Sequence, residues 1–166
     1  MSKLFNSDEI QVAAQAIKAG ELVSFPTETV YGLGADATNP EAVKKVYAAK
    51  GRPSDNPLIV HVADQTEVAK FANIDDKSKK LMDQFWPGPL TIILPIKKGA
   101  LNSIVTGGLD TAAFRNPATQ VTIDLIRAAG VPLVGPSANT SGKPSPTKPE
   151  HVLHDLDGKI AGVLDD

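Results

Sequence analysis

Lys50-Gly51-Arg52-Pro53-Ser54-Asp55-Asn56-Pro57-Leu58-Ile59-Val60-His61-Val62 takes the chain from the end of a predicted helix into a predicted buried strand. Its glycine and two prolines keep the junction irregular, and each proline biases the residue before it, Arg52 and Asn56, away from helical angles. A flexible linker would carry neither the prolines nor the apolar run that anchors one end. The stretch therefore reads as a shaped loop, in which Lys50 and Arg52 are expected to hold anionic groups of a ligand.

Upstream, Asn39-Pro40-Glu41 supplies a cap, a proline at the first helical position and an acid in the first turn. It predicts a helix over 40–49 that delivers Lys50. Before that, Ser7 reads as the cap of a first helix, with Ile10, Ala13, Ala14 and Ile17 on one face and Gly20 as its stop. Residues 21–25 read as a short strand broken by Pro26-Thr27-Glu28-Thr29. In Val30-Tyr31-Gly32-Leu33-Gly34 the two glycines mark a bend or a close backbone approach. Downstream of the strand over 58–62, Asp64 with Glu67 predicts a capping-box start to a short helix. A helix over 75–85 stops at Trp86-Pro87-Gly88-Pro89. Strands over 90–94 and 111–115 follow, with a helical turn near 101–105 between them. Asn116-Pro117 predicts the start of a helix that reaches Ala129, closed by Gly130. A strand over 131–135, an irregular run over 136–146, a helix from Pro149 to about Leu156 and a strand over 160–164 complete the chain. Strands alternating with helices point to an α/β domain with a mixed sheet.

Bulk properties narrow the function classes. The 166 residues suffice for one domain with a real core. The chain is 42% hydrophobic and 22% charged, with no apolar run near the ~20 residues of a membrane helix. Its first residues lack the apolar core of an export signal, so the cytoplasm is the expected location. The absence of cysteine excludes disulfides and thiol chemistry. A net charge of −2 gives no bulk attraction to nucleic acid. The 13 glycines and 13 prolines cluster in the loops, which suggests several shaped loops on a compact frame.

No standard nucleotide, metal or nucleophile motif matches. His151 and His154 read as a surface pair. Four loops remain, over 26–31, 50–61, 111–117 and 136–146, each beside a short strand. Strand-end loops are where open α/β sheets bind ligands. Taken singly, an Arg-Pro or Asn-Pro is turn chemistry, and His61 is a satisfied core histidine. Together the loops bring hydroxyls, amides and cations without a strong acid–base pair, a set suited to phosphates and a small polar substrate.

At these loops the chain resembles the threonylcarbamoyl-AMP synthases, the YrdC-like domain. The resemblance rests on Phe25-Pro26-Thr27-Glu28-Thr29-Val30-Tyr31-Gly32-Leu33-Gly34, on Lys50-Gly51-Arg52-Pro53 with Asp55-Asn56-Pro57-Leu58-Ile59-Val60-His61, on Trp86-Pro87-Gly88-Pro89-Leu90-Thr91, and on Pro136-Ser137-Ala138-Asn139 with Pro144-Ser145-Pro146-Thr147. Order and spacing match as well, from roughly residue 8 to the end.

The resemblance implies a twisted mixed α/β sheet with flanking helices and a concave cationic cleft. It implies synthesis of L-threonylcarbamoyladenylate from L-threonine, bicarbonate and ATP, with release of pyrophosphate. A separate transferase then modifies tRNA. Carried over position by position, threonine is held by Thr29, His61, Arg115 and the backbone at Gly135. ATP is held by Arg52, Asn56, Thr111, Ser137 and Ser145, with Asn139 supporting the loop. Lys50 and Arg52 neutralise developing charge, His61 orders the substrate or accepts the amine proton, and Mg2+ accompanies the phosphates without assigned protein ligands.

Two features depart from the family pattern. Phe114-Arg115-Asn116-Pro117 keeps the arginine in a different setting. Family members also continue past the equivalent of Leu164-Asp165-Asp166 with a strand and a late arginine of the ATP site. The expectation is therefore a single domain shortened at its C-terminus, with weak ATP affinity and low activity. Its 160–164 strand is expected at an exposed edge that favours self-association. The rival reading is a non-catalytic module of the same fold that binds double-stranded RNA or tRNA.

Overall fold

The computed structural model describes residues 2–51, 57–139 and 145–165. Eight strands and seven α-helices are seen among them: β1 (Lys3–Phe5), α1 (Ile10–Lys18), β2 (Val23–Phe25), β3 (Gly32–Asp36), α2 (Pro40–Lys50), β4 (Ile59–His61), α3 (Gln65–Val68), α4 (Asp76–Phe85), β5 (Thr91–Pro95), α5 (Ser103–Thr106), β6 (Thr111–Arg115), α6 (Gln120–Ala129), β7 (Leu133–Val134), α7 (Pro149–Leu156) and β8 (Gly162–Leu164). The strands form one mixed sheet in the order β1-β8-β2-β3-β7-β4-β6-β5. None of the described helices is long and apolar enough to cross a membrane.

Side-chain alternation along each strand gives the sheet two buried faces. On one, Val23, Phe25 and Leu133 pack with Ala13, Ala14 and Ile17 of α1 and with Val121, Leu125 and Ile126 of α6. On the other, Leu33, Val60, Phe114 and Val134 pack with Val43 and Val46 of α2, Met82 of α4, Val105 of α5 and Leu156 of α7. Each large side chain so buried contributes roughly 1.5–3 kcal/mol. The result is three layers, with the sheet between two sets of helices.

Several boundaries follow the sequence. Asn39 caps α2 by accepting from the Glu41 and Ala42 amides, Pro40 opens it, and Gly51 closes it at φ 71°. Gly130, at φ 73°, closes α6. The predicted strand over 111–115 and the helix from Pro149 to Leu156 occupy those positions.

Other boundaries differ, each for a physical reason. Asn6 rather than Ser7 caps the first turn, exchanging hydrogen bonds with Glu9. Glu67 reaches back to the Ala63 amide, one residue before the Asp64 cap. Asn116 and Pro117 do not start a helix, since α6 begins at Gln120 behind the Thr119 cap. The expected exposed last strand is the clearest correction. β8 lies inside the sheet, parallel to β1 on one side and to β2 on the other. The edge position belongs to β1, a three-residue strand that the sequence did not announce.

Candidate functional site

Strands β4 and β6 run parallel, with His61 paired to Arg115 at their C-terminal ends. β7 lies antiparallel on the other side of β4, and its Leu133 is the partner of His61. Gly135 follows β7 and donates its N–H to the Ile59 carbonyl at 3.1 Å. A Cβ at Gly135 would fall 2.6 Å from His61 Cε1 and 2.7 Å from both His61 Nδ1 and Phe25 Cζ, so only glycine lets the chain pass. Phe25 in turn meets the imidazole edge-on at a centroid distance of 5.3 Å. Gly32 and Gly34 leave the room that its ring occupies. The expected result for Gly135→Ala is a loss of about 1–3 kcal/mol from overpacking, read as a lowered thermal midpoint.

His61 and Arg115 are both buried. Burial, with the Arg115 charge second, pushes the His61 imidazole down to about 3 from its ordinary 6.5. The ring is therefore neutral near pH 7, and so weak a base does not take a proton from an amine. A neutral ring can still give or take a hydrogen bond. His61 Nδ1 and Asn116 Oδ1 are buried polar atoms without a hydrogen-bond partner among the described residues. They belong to the cross-strand partner of Arg115 and to its chain neighbour. Buried polar atoms are nearly always paired, so two orphans flanking one arginine mark a place where a ligand can complete the pairing.

The depressed histidine pKa has a consequence for stability. Between pH 3 and 6.5 the unfolded chain binds the proton that the folded chain refuses. The stabilisation is thus complete above pH 6.5 and is lost as pH falls toward 3. At about 1.4 kcal/mol per unit, roughly 2 kcal/mol should disappear by pH 5. Denaturant midpoints at pH 7 and pH 5 should differ markedly for the native chain and much less for His61→Gln. The same pH dependence in both chains would refute the assignment.

Arg115 Nε reaches the Gly88 carbonyl at 3.4 Å, and its Nη2 pairs with Glu28 Oε1. The other Glu28 oxygen accepts the Ala118 N–H at 2.9 Å. Glu28 thus joins two segments almost ninety residues apart, and no local pattern predicts that contact. Its neighbour Thr29 is exposed and shares a 3.0 Å hydrogen bond between hydroxyls with Thr27.

A second cluster forms where α2 ends. Lys50 is 2% exposed. Its Nζ donates to the Ser137 carbonyl, to the Asn139 carbonyl at 2.9 Å and to Asn139 Oδ1 at 3.4 Å. The Ser137 hydroxyl also donates to Asn139 Oδ1 at 2.5 Å. The predicted lysine and the predicted serine–asparagine pair therefore meet directly. Backbone bonds tie their loop to β3 and the residues before it: Ala138 N–H to the Tyr31 carbonyl, Leu33 N–H to the Pro136 carbonyl, and Tyr31 N–H to the Pro146 carbonyl. Ser145, next to Pro146, is exposed. Arg52 and Asn56 lie outside the described residues.

Thr111 shares a sheet face with Arg115 but stands four residues away, about 13 Å along the strand. Between them, Ala113 pairs with Ile59 and with Ile93. Ile59 and Ala113 are half-buried, and Ile93 is 68% exposed. Helices α1 and α6 pack on this face of the sheet over Val23, Phe25 and Leu133, and exposure rises from the buried His61–Arg115 end toward Ile93. Lys50 and Arg115 both direct their charge at internal acceptors. Among the described residues no three His, Cys, Asp or Glu side chains gather as a metal site.

The Sua5/YciO/YrdC family model, described as "Telomere recombination", matches residues 15–166. The chain is 57% identical over 161 residues to the threonylcarbamoyl-AMP synthase of Bacillus subtilis, covering 96% of this chain and 46% of that protein. The crystal structure of Pyrococcus abyssi Sua5 complexed with L-threonine superposes with a TM-score of 0.95 at 46% identity, covering 99% of this chain and 50% of that one. Escherichia coli YciO superposes with a TM-score of 0.87 at 21% identity and shares the fold. The chain spans about half the length of the B. subtilis and P. abyssi proteins.

Proposed function

The chain belongs to the Sua5/YciO/YrdC family, and from that premise we propose that it makes L-threonylcarbamoyladenylate from L-threonine, bicarbonate and ATP. The observation that carries the reading is the Arg115 site. A buried guanidinium and a neutral imidazole are paired across parallel strand ends, and two buried polar atoms without a partner among the described residues flank them.

In this reading Arg115 takes the threonine carboxylate, because a guanidinium fork matches a carboxylate. His61 orders the amino acid as a neutral partner, and Thr29 and the Gly135 backbone close the same end of the site. The amine and bicarbonate give a carbamate and water. A carbamate oxygen then attacks the α-phosphorus of ATP as the bond to pyrophosphate breaks. Such a step depends on placing anions in line and neutralising charge rather than on a proton-transferring side chain. Ser137, Asn139, Ser145 and Thr111 are the described residues assigned to the nucleotide, together with Arg52 and Asn56, while Lys50 sets the loop that presents Ser137 and Asn139. Magnesium would arrive on the phosphates. The described residues offer no carboxylate cluster to hold it.

The product is a mixed anhydride of a carbamate and a phosphate, so a separate transferase has to pass the threonylcarbamoyl group to tRNA. Within the site, Lys50 is buried and Arg115 faces Glu28, so neither presents its charge to an RNA backbone. The test is pyrophosphate release, which should require ATP, threonine and bicarbonate together. Release that persists without threonine or without bicarbonate would rule the reading out.

A further inference from the structure

We propose that Glu28 is a built-in stand-in for the substrate carboxylate, occupying the Arg115 site in the free protein and leaving when the amino acid binds. The proposal rests on the reading of Arg115 as the carboxylate site of an amino-acid substrate.

The contacts of Glu28 are those that an incoming carboxylate needs. One of its oxygens takes Arg115 Nη2 and the other takes the Ala118 N–H at 2.9 Å. Two donors three residues apart, at and just after the end of β6, thus hold both oxygens of one carboxylate. The Arg115 side chain is only 10% exposed, and a guanidinium this far from water needs an anion beside it. Glu28 supplies that anion while the site awaits substrate.

The arm that carries Glu28 is built so that the side chain alone can leave. On one side the Pro26 carbonyl accepts the buried Thr122 hydroxyl at 2.5 Å. On the other, the Val30 carbonyl accepts the Thr27 hydroxyl at 2.6 Å, and the same hydroxyl receives the Thr29 N–H at 3.2 Å. The backbone around Glu28 is therefore held without the help of its carboxylate. The Glu28 side chain is 25% exposed, so rotation about its side-chain bonds returns the carboxylate to water. Loss of the Arg115–Glu28 pair is offset when a substrate carboxylate takes its place, and an amino acid without that group gains no such exchange.

The occupied state lowers apparent affinity by the fraction of molecules in which Arg115 is free. Glu28→Gln removes the charge while keeping the shape, and a partly exposed charge pair of this kind corresponds to about a 2- to 5-fold effect. Calorimetry on the full chain should find threonine bound about 2- to 5-fold more tightly by E28Q, with no gain for threoninol, which carries an alcohol in place of the carboxylate. A role limited to stiffening the loop would move both ligands together. Glu28→Asp retains the charge on a shorter arm and should tighten threonine binding by a smaller factor, which keeps the test available should E28Q fold poorly. If the native chain binds threonine and both variants bind it no better, Glu28 does not compete and the proposal is overturned while the site assignment stands. If neither native nor variant chains bind threonine, the assignment of the site falls and the proposal falls with it.

Discussion

Arg115→Ala is expected to weaken threonine binding about 100-fold while leaving ATP affinity within a few-fold of the native value. The guanidinium sits at the end of β6 beside His61 of β4, with its side chain 10% exposed. A carboxylate bound there is largely removed from water. Truncating one partner of such a charge pair commonly costs 2–5 kcal/mol, and about 100-fold corresponds to the lower part of that range. Arg115→Lys keeps the charge and loses the planar fork, so an intermediate loss near 10-fold is expected. Folding should suffer little in either variant, because the Glu28 side chain, 25% exposed, can turn to solvent and keeps the Ala118 N–H. Nucleotide binding is assigned to Ser137, Asn139 and Thr111, none of which pairs with Arg115. Titrations of threonine and of ATP against the same preparations check the split. Threonine affinity within threefold of native would remove Arg115 from the site.

The sequence made some of this visible and hid the rest for reasons that differ from residue to residue. Helix α2 was legible because its signals are local: Asn39, Pro40 and Gly51 act on their own turn. Helix α6 was misjudged at its start because Asn116-Pro117 is an equally local cap-and-proline signal. The Asn116 carbonyl instead accepts the Gly88 N–H, tying the segment to the turn after Trp86. Tertiary contact overrode the local preference. Strand β1 carries no turn or periodicity signal in three residues, and it is a strand because β8 lies beside it. That same contact overturned the exposed-edge expectation for the end of the chain. Within the site, Lys50, Arg115, Ser137 and Asn139 stood out as loop residues, but their separate roles, and any role for His61, came only through the resemblance, since no spacing rule links positions so far apart. The partner of Arg115 was missed for the same reason, although Glu28 sits in the very motif that supplied Thr29. The acceptors of Lys50 could not be read from residue types at all, because the Ser137 and Asn139 backbone carbonyls are among them.

Those carbonyls give the second large prediction. Lys50→Met is expected to cost about 2–4 kcal/mol of stability and at least ~10-fold in ATP affinity. Methionine keeps most of the buried stem but donates nothing, so the Ser137 and Asn139 carbonyls and Asn139 Oδ1 lose a charged donor. Hydrogen bonds to a charged group are worth about 1.5–3 kcal/mol each. Relief from burying an ammonium returns part of that, which holds the expected loss to the stated range. For a chain of this size the thermal midpoint should drop by roughly 4–15 °C. Affinity for ATP should fall with it, since the Ser137 hydroxyl is aimed by Asn139 Oδ1, and Asn139 is in turn held by Lys50. Ser137→Ala removes only the hydroxyl link and should weaken ATP binding with little change in midpoint. A different role for Lys50 makes a different forecast: a lysine acting only on charge that develops at the reacting phosphorus lowers turnover and spares both stability and nucleotide affinity. Denaturation curves and ATP titrations on Lys50→Met therefore decide between an organiser of the 137–139 loop and a group confined to the chemical step. A stable variant with native ATP affinity and lost turnover would eliminate the organising role.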